Sequence, residues 1–191
     1  MREITMKVYT LEELSDKAKE KARDWYRDII SEDTFDQDEI VGSLMALYKA
    51  CGIRPRDWSI GAYNQSNGVT LDMGDAGELS GKRAFAWIEN NLFGQFRIKT
   101  NKKDFLKYGD GYRVGQIKSG PLTGMCYDED FFDRLRGHVK SGMNLHDSFT
   151  ALADDAARMI EDADDYRRED AQVDESITAN EYEFTIDGKL A

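Results

Sequence analysis

Two histidines and two cysteines are all this chain has for imidazole or thiol chemistry: His138, His146, Cys51 and Cys126. A zinc centre needs several such ligands at short spacings, and a dithiol redox pair needs its cysteines close together. Cys51 and Cys126 are 75 positions apart and no CxxC occurs, which reads as buried thiols in a reducing compartment. His138 and His146 are eight residues apart across Gly142. They are expected on different helices, in structural or surface roles rather than one joint acid–base centre. Carboxylates crowd Asp72–Glu78 (DMGDAGE) and Asp162–Asp165 (DADD), but neither segment has the ligand order of a calcium loop. No serine sits in G-x-S-x-G or S-x-x-K, and no P-loop or dinucleotide-binding glycine pattern is present. The expectation is a non-enzyme, with no catalytic, cofactor or metal residues to assign.

Charge is the more distinctive chemistry. The 191 residues carry 37 acidic and 26 basic side chains, a net of −11. That balance argues against a general DNA binder, which needs a basic footprint. The excess is not evenly spread. Residues 144–191 hold 14 of the acids and 4 of the bases, leaving residues 1–143 at about −1. Within the near-neutral part, residues 95–118 (QFRIKTNKKDFLKYGDGYRVGQIK) interleave seven Lys or Arg with Phe and Tyr. Basic plus aromatic is the composition of a single-stranded nucleic-acid surface. Lys102, Lys103, Lys107 and Arg113 are its candidate contacts. The plainer reading is a strand pair with solvated lysines.

In the acidic quarter, Asp154, Asp155, Glu161, Asp162, Asp165 and Glu169 are the candidate partner-binding residues. They would form an anionic face that docks a basic partner or imitates a phosphate backbone, helped by electrostatic steering. The bland alternative is a solubilising helix face.

The elements that must position these residues follow from periodicity. Ile4, Met6 and Val8 alternate as in a half-buried strand. Thr10 and Glu13 form a capping box, with Ser15 as a second possible helix start. Ala18, Ala22, Trp25 and Ile29 make the apolar stripe of a helix over 16–30. A second stripe runs from Ile40 to Cys51, and Gly52 follows as its C′ residue. Residues 57–64 and 68–73 read as a hairpin, 83–93 as a short helix, and 95–100 and 112–118 as strands. Asp128 opens a helix carrying Phe131, Phe132, Leu135 and Val139. Asn144 caps the longest, whose stripe runs from Phe149 through Ile160 to Tyr166. Residues 181–186 (EYEFTI) form a last short strand.

These elements predict one α+β domain over 1–191. Several amphipathic helices would pack an antiparallel sheet, and the acidic segment 144–180 could form a subdomain. The N-terminus MREITMKVYT has no apolar signal-peptide core, and no run approaches a membrane span. A cytoplasmic protein with no membrane partner is expected. Nothing in the sequence fixes the oligomeric state.

Two end motifs add a resemblance. Residues 10–27 (TLEELSDKAKEKARDWYR) and residues 177–189 (ITANEYEFTIDGK) resemble the opening and closing motifs of a set of small phage and prophage proteins. Ile186 stands where that ending has an acidic residue. The family is mostly uncharacterised, with antitoxin-like labels on some members. The resemblance carries over no catalytic residue. It implies a phage accessory gene acting in a bacterial cytoplasm, and a sheet in which the first and last strands pair. From that context comes the leading expectation, a non-enzymatic inhibitor of a host defence complex of the CRISPR-effector or restriction type. The alternatives are an antitoxin-like regulator of a partner protein, and a single-stranded nucleic-acid binder using residues 95–118.

Overall fold

A computed structural model describes residues 6–63, 66–93, 105–108, 112–115 and 122–191. The fold is α+β: helices α1 (Asp16–Ile30), α2 (Phe35–Ala50), α3 (Gly81–Ile88), α4 (Tyr127–Lys140), α5 (Leu145–Arg168) and α6 (Asp170–Ala179) accompany strands β1 (Arg54–Ser59), β2 (Gly68–Asp72), β3 (Phe105–Tyr108) and β4 (Tyr112–Gly115). The strands form two separate antiparallel hairpins, β1–β2 and β3–β4. The chain divides into two compact units: residues 1–34 with 162–191, and residues 35–161.

The first unit is assembled from both ends of the sequence. The Glu13 carboxylate accepts from the Thr10 amide at 2.8 Å and its hydroxyl at 3.2 Å. This box closes only a 3-10 turn, Leu11–Glu13; the chain then extends through Leu14 and Ser15, and α1 starts at Asp16. Leu11, Leu14, Ala18 and Ala22 pack with Val173 and Ile177 of α6 and with Phe184. Trp25 meets Tyr182 and Phe184 edge-on, with ring centroids 5.1 and 5.6 Å apart. The stripe stops there, since Ile29 is exposed.

Among the described residues, the expected terminal strands do not form as strands. Tyr9 and Phe184 exchange both backbone hydrogen bonds, at 2.8 and 2.9 Å, and Phe184 bridges on to Leu190. The ends therefore meet antiparallel as isolated bridges. Residues 1–5 lie outside the described set. Gly188 closes this corner. Its φ is +80°, and a Cβ there would lie 2.1 Å from the Ala18 carbonyl oxygen, so only glycine fits.

The second unit packs around Ile40, Leu44, Leu47 and Tyr48 of α2, Phe131, Phe132 and Leu135 of α4, and Phe149, Leu152 and Ala156 of α5. The Tyr48 hydroxyl donates to the Phe149 carbonyl at 3.0 Å. Gly52 (φ +73°) ends α2: the Ile53 amide returns to the Tyr48 carbonyl at 2.8 Å and Gly52 to Lys49 at 3.0 Å, a Schellman cap. β1 pairs β2 with a register shift between Pro55 and Asp57, where Pro55 has no amide to give the ladder. A π-helical turn, Glu89–Phe93, continues α3. The strand that pairs with β4 is Phe105–Tyr108; the expected strand over 95–100 lies outside the described residues.

Asn144 caps α5 as expected, its side chain accepting from the Asp147 amide at 2.8 Å. The helix buries Phe149, Leu152, Ala153, Ala156, Met159 and Ile160, but Tyr166 is exposed rather than part of the stripe. Extended backbone at Glu169 separates α5 from α6. Among the described residues no helix is long and apolar enough to cross a membrane.

Candidate partner-binding surface

The acidic residues on α5 and α6 fall into distinct environments. Asp154, Asp162, Asp165 and Glu169 are exposed. Asp155 is not: its side chain is 8% exposed, and its two oxygens bind His138 Nε2 at 2.6 Å and Arg134 Nη1 at 3.3 Å. It stitches α5 to α4 and leaves the partner-binding set. Its position explains why: Asp155 follows Leu152 by three and precedes Met159 by four, on the buried side of the helix. Glu161 is half-buried and accepts from the Tyr63 amide at 2.8 Å. Asp164 is held by Arg168 at 2.9 Å and by Arg167 at 3.4 Å, while Arg167 also reaches Asp33 at 3.0 Å.

On α6 the carboxylates near the start of the helix serve the fold. Arg23 of α1 makes a two-pronged contact with Asp174, Nε and Nη2 each at 2.7 Å, and reaches Asp170 at 3.0 Å. Arg27 pairs with Asp170, with Glu20 at 2.9 Å and with Asp24 at 3.0 Å. It also donates to the Arg168 carbonyl, where α5 ends, at 3.2 Å. This clasp sets the ionisation of its members. The Arg23 hydrogen bond holds the Asp174 carboxyl below its ordinary value, and Arg27 followed by Arg23 does the same for Glu20. Hydrogen bonding to Asp174 raises Arg23, and hydrogen bonding to Glu20 raises Arg27. Sequence reading missed the clasp because Arg23 and Asp174 are 151 positions apart. Arg23 and Arg27 at i,i+4 on one helix face, matched by Asp170 and Asp174 at i,i+4, were the signal that could have found it.

Beside the clasp, in the same unit, lies an open groove of about 400 Å³ lined by Leu11, Glu12, Lys19, Asp174, Glu175, Thr178 and Ala179. Glu12 and Glu175 are exposed on its rim. The carboxyl end of α6 is at the same place, and a helix C-terminus carries partial negative charge.

Of the candidate basic contacts, Lys102 and Lys103 lie outside the described residues. Lys107 on β3 and Arg113 on β4 stand directly opposite each other in register.

The histidines are placed apart in role. His138 bonds Asp155, while exposed His146 has Asp147 at 3.4 Å. Cys51 is buried, and burial pushes its thiol up to about 12; a thiol so placed is a poor nucleophile. Asp72, in the segment of calcium-loop density, is paired with Arg56. Among the described residues no three His, Cys, Asp or Glu side chains gather as a metal site. A fully buried carboxylate, Asp128, accepts from the Leu122 and Thr123 amides, both at 2.8 Å, and from the Thr123 hydroxyl at 3.0 Å. It organises the turn into α4.

No protein-family model, curated protein or solved structure matches the chain, so its surface is read from its own chemistry.

Proposed function

We propose that this protein is a phage accessory protein that works without catalysis. It acts as a stoichiometric inhibitor of a host defence complex of the CRISPR-effector or restriction type. Its exposed carboxylates occupy a basic nucleic-acid channel on the target. The observation that carries this reading is the sorting of the acidic quarter. Asp155, Asp164, Asp170 and Asp174 are engaged by His138 or by arginines of the fold, Asp170 from an exposed position, while Asp162, Asp165 and Glu169 expose their side chains beside them. Asp162 and Asp165 are three apart on α5, so their Cβ atoms sit about 5–6 Å apart on one face. The phage resemblance of residues 10–27 and 177–189 supports the context, and a bacterial cytoplasm is the setting it implies.

Replacing Glu161, Asp162 and Asp165 together by lysine is expected to abolish inhibition of a reconstituted defence nuclease at low salt. Inhibition at wild-type strength by the folded triple variant would remove the charge-mimicry reading. An antitoxin-like role predicts instead one stable complex with a single small partner protein and no effect on defence nucleases.

One observation favours a second reading. Lys107 and Arg113 are register partners in the β3–β4 ladder, and two basic residues at one level of a hairpin suit a nucleic-acid backbone. That reading requires single-stranded DNA binding with a steep salt dependence, weakened by replacing Lys102, Lys103 and Lys107.

A further inference from the structure

We propose that the groove between the Leu11–Glu13 turn and the end of α6 receives a basic segment of the partner protein, a Lys or Arg side chain lying along it. This rests on the partner-binding reading above and names where, and to what chemistry, the partner binds. The groove lies wholly within the unit made of the two chain ends, lined by Leu11, Glu12 and Lys19 on one side and by α6 on the other.

Its composition selects the occupant. Ala179 is exposed in the lining, beside Thr178 and the half-buried Lys19, over the buried Leu11. Long basic side chains carry three or four methylenes that cover such surface while the charge stays wet. The rim is anionic: Glu12 and Glu175 are exposed, and Asp174 lies behind them, already engaged by Arg23. Among the described residues, Lys19 is the single cation lining the groove against three carboxylates. The negative end of the α6 dipole adds to the same potential. A neutral apolar peptide would strand no charge here but would gain nothing from the rim. An acidic one would be repelled. A Lys- or Arg-bearing segment with apolar neighbours satisfies both floor and rim.

The Glu13 side chain is committed to Thr10, so Glu12 can be altered without opening the capping box. Ala179 is exposed at the last position of α6. A large residue there fills the groove without changing charge.

The test uses the full chain and a fluorescent peptide of alternating arginine and leucine, followed by fluorescence anisotropy. Wild type is expected to bind it. The E12Q/E175Q double variant is expected to bind about five- to tenfold more weakly, and A179W to lose binding. The E129Q/D130N double variant changes charge equally at exposed positions of α4, outside both the groove and the acidic face, and is expected to stay within about twofold of wild type. Circular dichroism and thermal unfolding establish that each variant is folded. Absence of wild-type binding, retention of binding by A179W, or an equal loss in E129Q/D130N each overturns the groove. A parallel assay of defence-nuclease inhibition separates the two ideas. If wild type inhibits and A179W inhibits equally, the groove fails while the inhibitor reading stands. If wild type binds the peptide through the groove and inhibits no defence complex, the reading of function fails while the groove stands.

Discussion

Asp155 and Asp162 are seven positions apart on α5 and look alike in a charge count, yet their environments are opposite. Asp155 holds His138 and Arg134 from a buried position, whereas Asp162 is exposed. Removing the buried Asp155 acceptor loses two hydrogen bonds to donors that keep partial access to water, a cost of about 1 kcal/mol; an exposed substitution stays within about 0.5 kcal/mol. Denaturant unfolding should therefore separate Asp155→Ala from Asp162→Ala by that margin. A comparable effect of both would mean that the Asp155 contacts contribute nothing net. Glu181 gives a prediction of opposite sign. It is the C′ residue of α6 with φ +55°, where Glu181 and Tyr182 return amides to Thr178 and Ile177. Glutamate is strained in this left-handed position and glycine is not. Glu181→Gly is expected to stabilise the protein by about 0.5–1 kcal/mol, read as a raised unfolding midpoint.

Helix α6 buries only Val173 and Ile177 among its ten residues, and the Arg23–Arg27 clasp is its second tie to α1. Asp174 and Glu20 have carboxyls held below their ordinary values of 3.8 and 4.5 by these arginines. A depressed carboxylate contributes stability above its unfolded value and loses it as pH falls through the folded one. Hydrogen exchange in α6 should therefore accelerate as pH drops below about 4, after correction for intrinsic rates. Added salt at neutral pH should move it the same way, since these pairs are partly exposed. An α6 whose protection follows that of α2 throughout would show that the clasp is dispensable. The same helix shows what the sequence hid. The stripes of α1, α2, α4 and α5 were legible because Ala18 and Ala22, Leu44 and Leu47, or Phe149 and Leu152 recur at helical spacing beside clear caps. Residues 170–179 have two buried positions and a weak stripe, so periodicity alone marks no separate helix there. The terminal strands were over-read because EYEFTI alternates over a length that pairs only at Phe184. On the surface, the exposure of Asp154, Asp162, Asp165 and Glu169 followed from polarity. The burial of Asp155 needed a partner 17 positions away on another helix.

At the scale of the whole molecule, residues 35–161 form one unit and the two ends of the chain form the other. This arrangement predicts an uneven response to shortening. Deleting residues 182–191 removes Tyr182, Phe184 and the Gly188 corner from the apolar cluster of Leu11, Leu14, Ala18 and Ala22. Amide protection of α1 should then collapse while that of α2 and α4 persists, measured by hydrogen exchange on the shortened protein. Equal loss in both units would overturn this prediction. The Tyr9–Phe184 bridge has a further consequence, in time rather than space. On the ribosome α1 is made well before Val173, Ile177 and Phe184, the residues that cover its apolar side. At about 5–20 residues per second, Ala18, Ala22 and Trp25 wait for many seconds without their partners. During synthesis the nascent amphipathic helix offers chaperones a transient binding site that the finished protein conceals.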